Sequence, residues 1–174
     1  MKVYFATHAS SKDSEVGIAS GWKDTELSCL GVQQAKQLGE RFKDVPVDIV
    51  CCSDLKRAVD TVAIAFDGRL PVVIDKRLRE LNYGDFNGKP ADVVEKMKGD
   101  KIKDPFPKGE SYEQAVARAH EFYEELKGKY PDSSVLVVGH RATRYGLDTL
   151  TGTKTLQECV NTPFLWQPSW EYEL

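Results

Sequence analysis

The sequence predicts an α/β fold, a three-layer sandwich in which a mostly parallel sheet is covered by helices on both faces. Four short apolar runs have the composition of buried strands: 2–6, 48–52, 71–75 and 134–138. Amphipathic helical patterns separate these runs, and strands that alternate with helices favour parallel pairing. Residues 164–174 alternate enough to form an antiparallel edge strand, since Pro168 excludes a central position.

Apolar spacing and capping residues predict the first two helices. The first covers about Gly31–Lys43, where apolar side chains recur on one face. The second begins after Ser53 or Asp54, either of which suits the N-cap position, and runs to about Phe66. Each helix lies between two predicted strands, as a crossover connection requires.

Two further helices are predicted in the second half of the chain. Ser111 and Gln114 form a capping box that begins the clearest of the four, and Gly128 with Pro131 ends it. The last helix follows His140 directly. With the apolar run 134–138 between them, these helices complete the alternating order.

Length and composition predict a single domain. The chain has 174 residues, which fits one folded unit covering 1–174. Within it, residues 84–110 are rich in glycine, proline and charged side chains. We interpret this segment as an excursion of loop and short helix over the candidate site, with the helix near Ala91–Lys98.

Charge and motif content exclude several classes of function. A net charge of −3, with acids and bases interspersed, argues against nucleic-acid or anionic-membrane surfaces. No apolar stretch approaches the ~20 residues of a membrane span, and no targeting signature is present, so we expect a cytoplasmic protein. The absence of C-x-x-C and H-E-x-x-H motifs predicts no metal site and no cofactor. We interpret the four cysteines as reduced thiols: Cys29, Cys51, Cys52 and Cys159.

Basic side chains follow three of the predicted strands. His8 and His140 each come at or just after the end of an apolar run, and Arg57 lies in the first turn of the helix after a third run. The carboxyl ends of parallel strands meet at one edge of a sheet, so these groups should converge on a phosphate-sized site. Each residue alone also fits an ordinary structural role, a buried histidine or a solvated arginine. The third histidine, His120, lies within a helix and is expected to be structural or exposed.

Four segments, taken in order, resemble the histidine phosphatases of the phosphoglycerate mutase-like superfamily. They are Thr7-His8-Ala9, Ser53–Ala58, Leu78–Gly88 and Val138-Gly139-His140. The resemblance spans nearly the whole chain and implies a phosphoglycerate mutase-like fold. It also implies a phosphomonoesterase whose partner is a small phosphorylated metabolite, and it leaves a homodimer open.

The resemblance also implies roles for four residues. His8 would be the nucleophile that forms a phosphohistidine, and Arg57 and His140 would hold the phosphoryl oxygens. Glu80 would protonate the leaving alkoxide and then deprotonate the attacking water. The alternative for Glu80 is a surface carboxylate paired with Arg77 or Arg79.

The first motif departs from the family pattern Arg-His-Gly. Thr7 replaces the arginine that grips the phosphate, which predicts a loss of roughly tenfold to a hundredfold in transition-state binding. Arg141 is a candidate to restore the charge, with Lys12 and Arg144 as lesser ones; the alternative is that Arg141 faces solvent or pairs with an acid. The substrate-binding residues are expected to be Thr7, Ser14, Gly21, Tyr83 and Arg141.

Walls for the site are expected from residues 20–22, 83–87 and 102–106. We interpret the aromatic side chains of the tail as core or as a subunit contact: Phe164, Trp166, Trp170 and Tyr172. Two other functions stay open beside the phosphatase. One is a pseudophosphatase that binds a phosphorylated ligand without efficient turnover, and the other is a phosphoglycerate mutase-type phosphotransferase.

Overall fold

A five-stranded sheet forms the centre of the computed structural model, which describes residues 1–174. Along the chain the strands are β1 (Lys2–Thr7), β2 (Ile18–Ala19), β3 (Ile49–Cys52), β4 (Val72–Ile74), β5 (Lys89–Pro90), β6 (Ser134–Gly139) and β7 (Trp170–Glu173). The central sheet has the order β4-β3-β6-β1-β7, and β2 pairs with β5 in a separate two-stranded ribbon. The four strands predicted from apolar runs are therefore the four parallel strands of this sheet.

The register of the central strands sets the position of the site. β1 and β6 pair in parallel, so that Thr7 lies opposite Gly139 at their carboxyl ends. The amide of His8 then donates to the Gly139 carbonyl at 3.0 Å. His8 and His140 consequently leave the sheet side by side. β7 runs antiparallel to β1, with Trp170 opposite Phe5, which confirms the predicted edge strand in its last residues.

Seven α-helices surround the sheet. They are α1 (Lys12–Glu15), α2 (Cys29–Arg41), α3 (Lys56–Phe66), α4 (Ala91–Met97), α5 (Tyr112–Lys129), α6 (Arg141–Leu150) and α7 (Leu156–Asn161). Alternate residues of β1 face two separate cores. Val3 and Phe5 pack with α5 and α6, while Tyr4 and Ala6 pack with α2 and α3. The sheet is thus buried on both faces, which is why its strands read as continuous apolar runs.

Helix boundaries follow the capping residues with two corrections. The box of Ser111 and Gln114 begins α5 as predicted, but the helix continues through Gly128 to Lys129. At α3 the prediction was wrong, because Leu55 is the N-cap residue and provides no side-chain cap. Ser53 is engaged elsewhere: its hydroxyl lies 2.7 Å from His140 Nε2.

Several short elements were not predicted, namely α1, α7 and the β2–β5 ribbon. The short helix of the excursion was predicted correctly, since α4 covers Ala91–Met97. The tail before β7 has no regular structure, and Trp166 is 62% exposed, so the core alternative was wrong for this residue, and the alternative of a subunit contact stays a prediction. Tyr172 is buried as expected. No helix is both long enough and apolar enough to cross a membrane.

Candidate active site

The two histidines lie together at the carboxyl edge of the sheet. Their ring centroids are 4.9 Å apart, and the planes are tilted by 53°. His140 is almost fully buried at the N-cap position of α6, while His8 is partly exposed. His120, by contrast, bonds within the helical layer, with Nε2 3.0 Å from the Gly146 carbonyl and 2.8 Å from Thr149 Oγ1.

Arg57 joins the two imidazoles. It is the second residue of α3 and only 2% exposed. Its Nε donates to His8 Nε2 at 3.2 Å, and its Nη2 lies 3.5 Å from His140 Nδ1. The rest of the guanidinium donates to the carbonyls of Gly21, at 2.8 Å, and Lys23, at 3.3 Å. The predicted convergence of His8, His140 and Arg57 is therefore observed.

Gly21 holds Arg57 through its backbone. Its φ is +54°, in the left-handed region that favours glycine. A Cβ at this position would lie 2.0 Å from Asn87 Oδ1, so a side chain there would displace the loop. The Gly21 carbonyl thus orients the guanidinium, whereas the sequence had suggested only a contact with substrate.

The loop after β1 fixes the orientation of His8. Its Nδ1 lies 2.7 Å from the Ala9 carbonyl, a contact that requires an N–H on Nδ1. The lone pair of the neutral ring is therefore on Nε2, directed at the guanidinium. Ala9 is itself held by its amide, which donates to Thr61 Oγ1 at 3.0 Å.

Burial and the nearby charge keep both imidazoles neutral. Desolvation, followed by the positive charge of Arg57, lowers the pKa of His8 from 6.5 to about 3. The same two causes hold the pKa of His140 well below its ordinary value. At pH 7 the His8 ring is thus neutral rather than cationic.

We expect the folded protein to lose stability as the pH falls from about 6.5 to about 3, because the unfolded chain binds protons at His8 and His140 that the folded chain excludes. Each excluded proton contributes a slope of about 1.4 kcal/mol per pH unit. Urea unfolding of wild type and His8→Gln between pH 7 and pH 4 measures this effect. The variant should show the flatter dependence, and equal slopes would contradict the assignment.

Ser53 is a site residue that the sequence reasoning missed. It is fully buried, and its hydroxyl lies 2.7 Å from His140 Nε2. The hydroxyl can accept from Nε2 or donate to it, so it permits either neutral tautomer of His140. Its position could have identified it, since Ser53 directly follows β3, the strand that leads to Arg57.

Glu80 lies next to the first turn of α6. Its Oε1 accepts from the amides of Leu81, at 2.8 Å, and Ala142, at 3.2 Å. The alternative of a surface ion pair is excluded, since Arg77 pairs with Asp75 and Glu125 and Arg79 pairs with Asp54. Its backbone carbonyl accepts from Trp22 Nε1 at 2.7 Å and from Arg118 Nη2 at 2.9 Å. The carboxylate is thus fixed by backbone contacts and left without a counter-ion.

Two open cavities flank these groups, with volumes of about 280 and 480 Å³. Both are lined by His8, Ser14, Glu80 and Arg141. The hydroxyl of Ser14 is already engaged, since it donates to the Ser11 carbonyl at 2.9 Å. Gly21 and Tyr83 line the smaller cavity, and Thr7 lines the larger one. All five predicted substrate-binding residues therefore border the site.

The wall formed by the excursion differs from the prediction. Ala91, Val94 and Glu95 of α4 line the smaller cavity. Ile102 and Phe106 are buried instead, and Phe106 packs behind Tyr83 with ring centroids 5.3 Å apart. The apolar side chains of 102–106 thus support the wall without reaching the cavity.

The sequence left two positions open for Arg141, one in the site and one paired with an acid, and the structure shows both. It lines both cavities, yet its guanidinium bonds the Glu95 carboxylate and lies 5.4 Å from the Phe164 ring. Lys12 pairs with Glu26 at the surface, and Arg144 stacks on Trp170, so neither borders these cavities. No group of three or more histidine, cysteine or acidic side chains is arranged to hold a metal ion.

Comparisons with known proteins agree with this geometry. The sequence profile of the histidine phosphatase superfamily, branch 1, matches residues 3–155. PhoE of Bacillus subtilis, described as an uncharacterized phosphatase, is 30% identical over 159 residues, which cover 86% of this chain and 81% of the relative. A 2,3-bisphosphoglycerate-dependent phosphoglycerate mutase of Allorhizobium ampelinum is 32% identical over 169 residues, covering 86% and 80%.

The fold agrees as well. YhfR of Bacillus stearothermophilus superposes on this structure with a TM-score of 0.86 and 26% identity, covering 99% of this chain and 91% of the other. The phosphoglycerate mutase-like α/β fold expected from the motifs is therefore confirmed. The chain belongs to branch 1 of the histidine phosphatase superfamily.

Proposed function

We propose that this protein is a phosphomonoesterase that hydrolyses a small phosphorylated metabolite through a phosphohistidine on His8. The observation that carries the proposal is the contact of one buried guanidinium with two neutral imidazoles, at 3.2 and 3.5 Å. Arg57 forms no ion pair, so its charge is available to an incoming anion. A phosphate between the three groups would supply the missing negative charge.

The first step is attack by His8 on phosphorus. The Ala9 carbonyl accepts the proton on Nδ1, so the Nε2 lone pair is directed into the site. A bond forms between Nε2 and phosphorus as the ester P–O bond breaks. The electron pair of that bond leaves with the alkoxide oxygen, which takes a proton from Glu80.

Arg57 and His140 stabilise the charge on the transferring group. The guanidinium presents fixed N–H donors, and the phosphoryl oxygens would replace its present contacts with the imidazoles. Ser53 supports this step: once phosphate replaces Arg57 at His140 Nδ1, the Ser53 hydroxyl can donate to Nε2, so that Nδ1 carries the proton and donates to phosphate. The two histidines therefore differ in role because their rings have different partners. Nδ1 of His8 lies against the Ala9 carbonyl, whereas Nε2 of His140 lies against the Ser53 hydroxyl.

In the second step, hydrolysis of the phosphohistidine, Glu80 acts as a base. As a carboxylate it takes a proton from water, which attacks phosphorus and breaks the bond to His8. Two backbone amides hold Oε1, which fixes the carboxyl group between α6 and the loop that contains Leu81. Because it has no cationic partner, the carboxyl group is free to contact the leaving group and then water.

The test is hydrolysis of p-nitrophenyl phosphate by the purified protein in EDTA. Turnover in EDTA is expected, since the proposed groups are all side chains of this chain. A protein that binds phosphate but releases no nitrophenol would instead be the pseudophosphatase that Thr7 suggests. Release of 2-phosphoglycerate from 3-phosphoglycerate, with no free phosphate, would identify the mutase-type phosphotransferase.

Thr7→Arg should raise kcat/KM for glycerol 2-phosphate by about tenfold. Thr7 borders both His8 and the larger cavity, so a guanidinium there can add a charged hydrogen bond to the phosphoryl group. Thr7→Gln, which is similar in length but neutral, is the matched control and should show no gain. A fall in kcat/KM with Thr7→Arg would mean that Arg141 or another group already fills this role.

A further inference from the structure

The larger cavity extends from the histidines to the irregular tail. His8, His140 and Glu80 line one part of it, and Phe164 and Trp166 line another. Its volume of about 480 Å³ exceeds what a phosphoryl group alone would fill. The remaining space lies where the organic part of an ester would extend.

Trp166 is unpartnered in this wall. Its side chain is 62% exposed, and its indole makes no hydrogen bond, ring–ring pair or cation–π contact within the chain. The backbone two residues further on contacts α2, because Arg41 Nη1 donates to the Pro168 carbonyl at 3.1 Å. The exposed indole of Trp166 therefore offers a flat surface beside the cavity on which another ring can stack.

Two neutral polar side chains, Thr7 and Gln34, also line the cavity. Thr7 contributes a short side chain, and Gln34 uses its Oε1 to hold the Ser10 amide at 2.8 Å, so its NH₂ group has no partner in the chain. Arg141 also lines the cavity; it pairs with Glu95, a carboxylate that it shares with Lys98, and its guanidinium lies 5.4 Å from the Phe164 ring. The cavity thus offers aromatic faces and one amide donor, and its one arginine, Arg141, already has an acidic partner.

We propose that this cavity is a subsite for an aromatic ring in the leaving group, stacked on Trp166, so that the preferred substrates are phosphate monoesters of aromatic or heteroaromatic alcohols. The inference rests on the proposed function for the placement of the phosphoryl group beside His8. Gln34 would donate a hydrogen bond to a polar substituent of that ring. Aliphatic esters would fill the phosphate site but leave the indole without a partner.

The experiment measures binding as well as turnover. Phenylphosphonate and methylphosphonate, which have no ester bond to hydrolyse, are titrated calorimetrically into wild type, Trp166→Ala and Trp166→Phe. Leu165→Ala is the matched control, because Leu165 is a 73% exposed neighbour that borders neither cavity. The same variants are assayed with phenyl phosphate and glycerol 2-phosphate.

Trp166→Ala should weaken phenylphosphonate binding by roughly threefold to tenfold and change methylphosphonate binding by less than about twofold. Trp166→Phe should restore most of the difference, and Leu165→Ala should have no effect. The kcat/KM values for the two esters should follow the same pattern. If neither ester is hydrolysed but the binding pattern holds, the subsite stands and the proposed function fails.

Three results would overturn the subsite. Equal affinity of wild type for the two phosphonates would show that the ring is not recognised. Equal losses for both compounds in Trp166→Ala would show a general structural effect of the indole. A change from dimer to monomer in that variant, with an unchanged affinity ratio, would assign Trp166 to a contact with a second copy of the chain.

Discussion

His8→Ala is expected to lower turnover of p-nitrophenyl phosphate by roughly 10⁴-fold or more, since the variant has no atom that can bond to phosphorus. The remaining groups, Arg57 and His140, should still bind the phosphoryl group, so KM is expected to change far less than kcat. Steady-state kinetics with both parameters resolved measures this difference. His120→Gln is the control, because His120 bonds only within the helical layer and should leave both parameters near wild type.

The same variant tests the covalent intermediate. Wild-type protein quenched in alkali during turnover should carry a phosphoryl group that is stable to base and labile to acid, on the peptide that contains His8. The label should be absent from His8→Ala. Substantial turnover by His8→Ala, or a label on another peptide, would exclude His8 as the nucleophile.

Much of the fold follows from the sequence because the central strands are buried on both faces. Such strands must be apolar at every position, and this makes 2–6 and 134–138 conspicuous in a chain with 29% charged residues. The parallel register then places the residue after each strand at one edge. The pairing of His8 with His140 is therefore predictable from the sequence alone.

Other parts of the site depend on contacts that local sequence does not encode. Serine is a favoured N-cap residue, but Ser53 is buried next to His140 and its hydroxyl contacts the ring instead of capping α3. The excursion is equally ambiguous, because its apolar residues could have faced either the cavity or the core. Phe106 is buried and packs against Tyr83, and the short helix α4 lines the smaller cavity instead.

Arg57 differs from the other arginines of the site in having no acidic partner. Burial lowers its pKa, while more distant acids raise it, and its direct contacts are two carbonyls and two imidazoles. A charge in such surroundings is only partly compensated, so an anion that contacts it gains more than it would at the surface. We therefore expect a bound phosphate to stabilise the guanidinium of Arg57.

Arg57→Met should accordingly reduce kcat/KM for p-nitrophenyl phosphate by about a thousandfold, through the loss of two or more charged hydrogen bonds to the transferring group. It should also abolish the stabilisation of the folded protein by inorganic phosphate, which for wild type appears as a rise in Tm with phosphate concentration. Arg69→Met is the matched control, since Arg69 donates only to the carbonyls of Ala65 and Phe66 at the end of α3. That variant should keep the phosphate response even where its own Tm is lower. A phosphate-dependent Tm in Arg57→Met equal to that of wild type would show that the anion binds elsewhere.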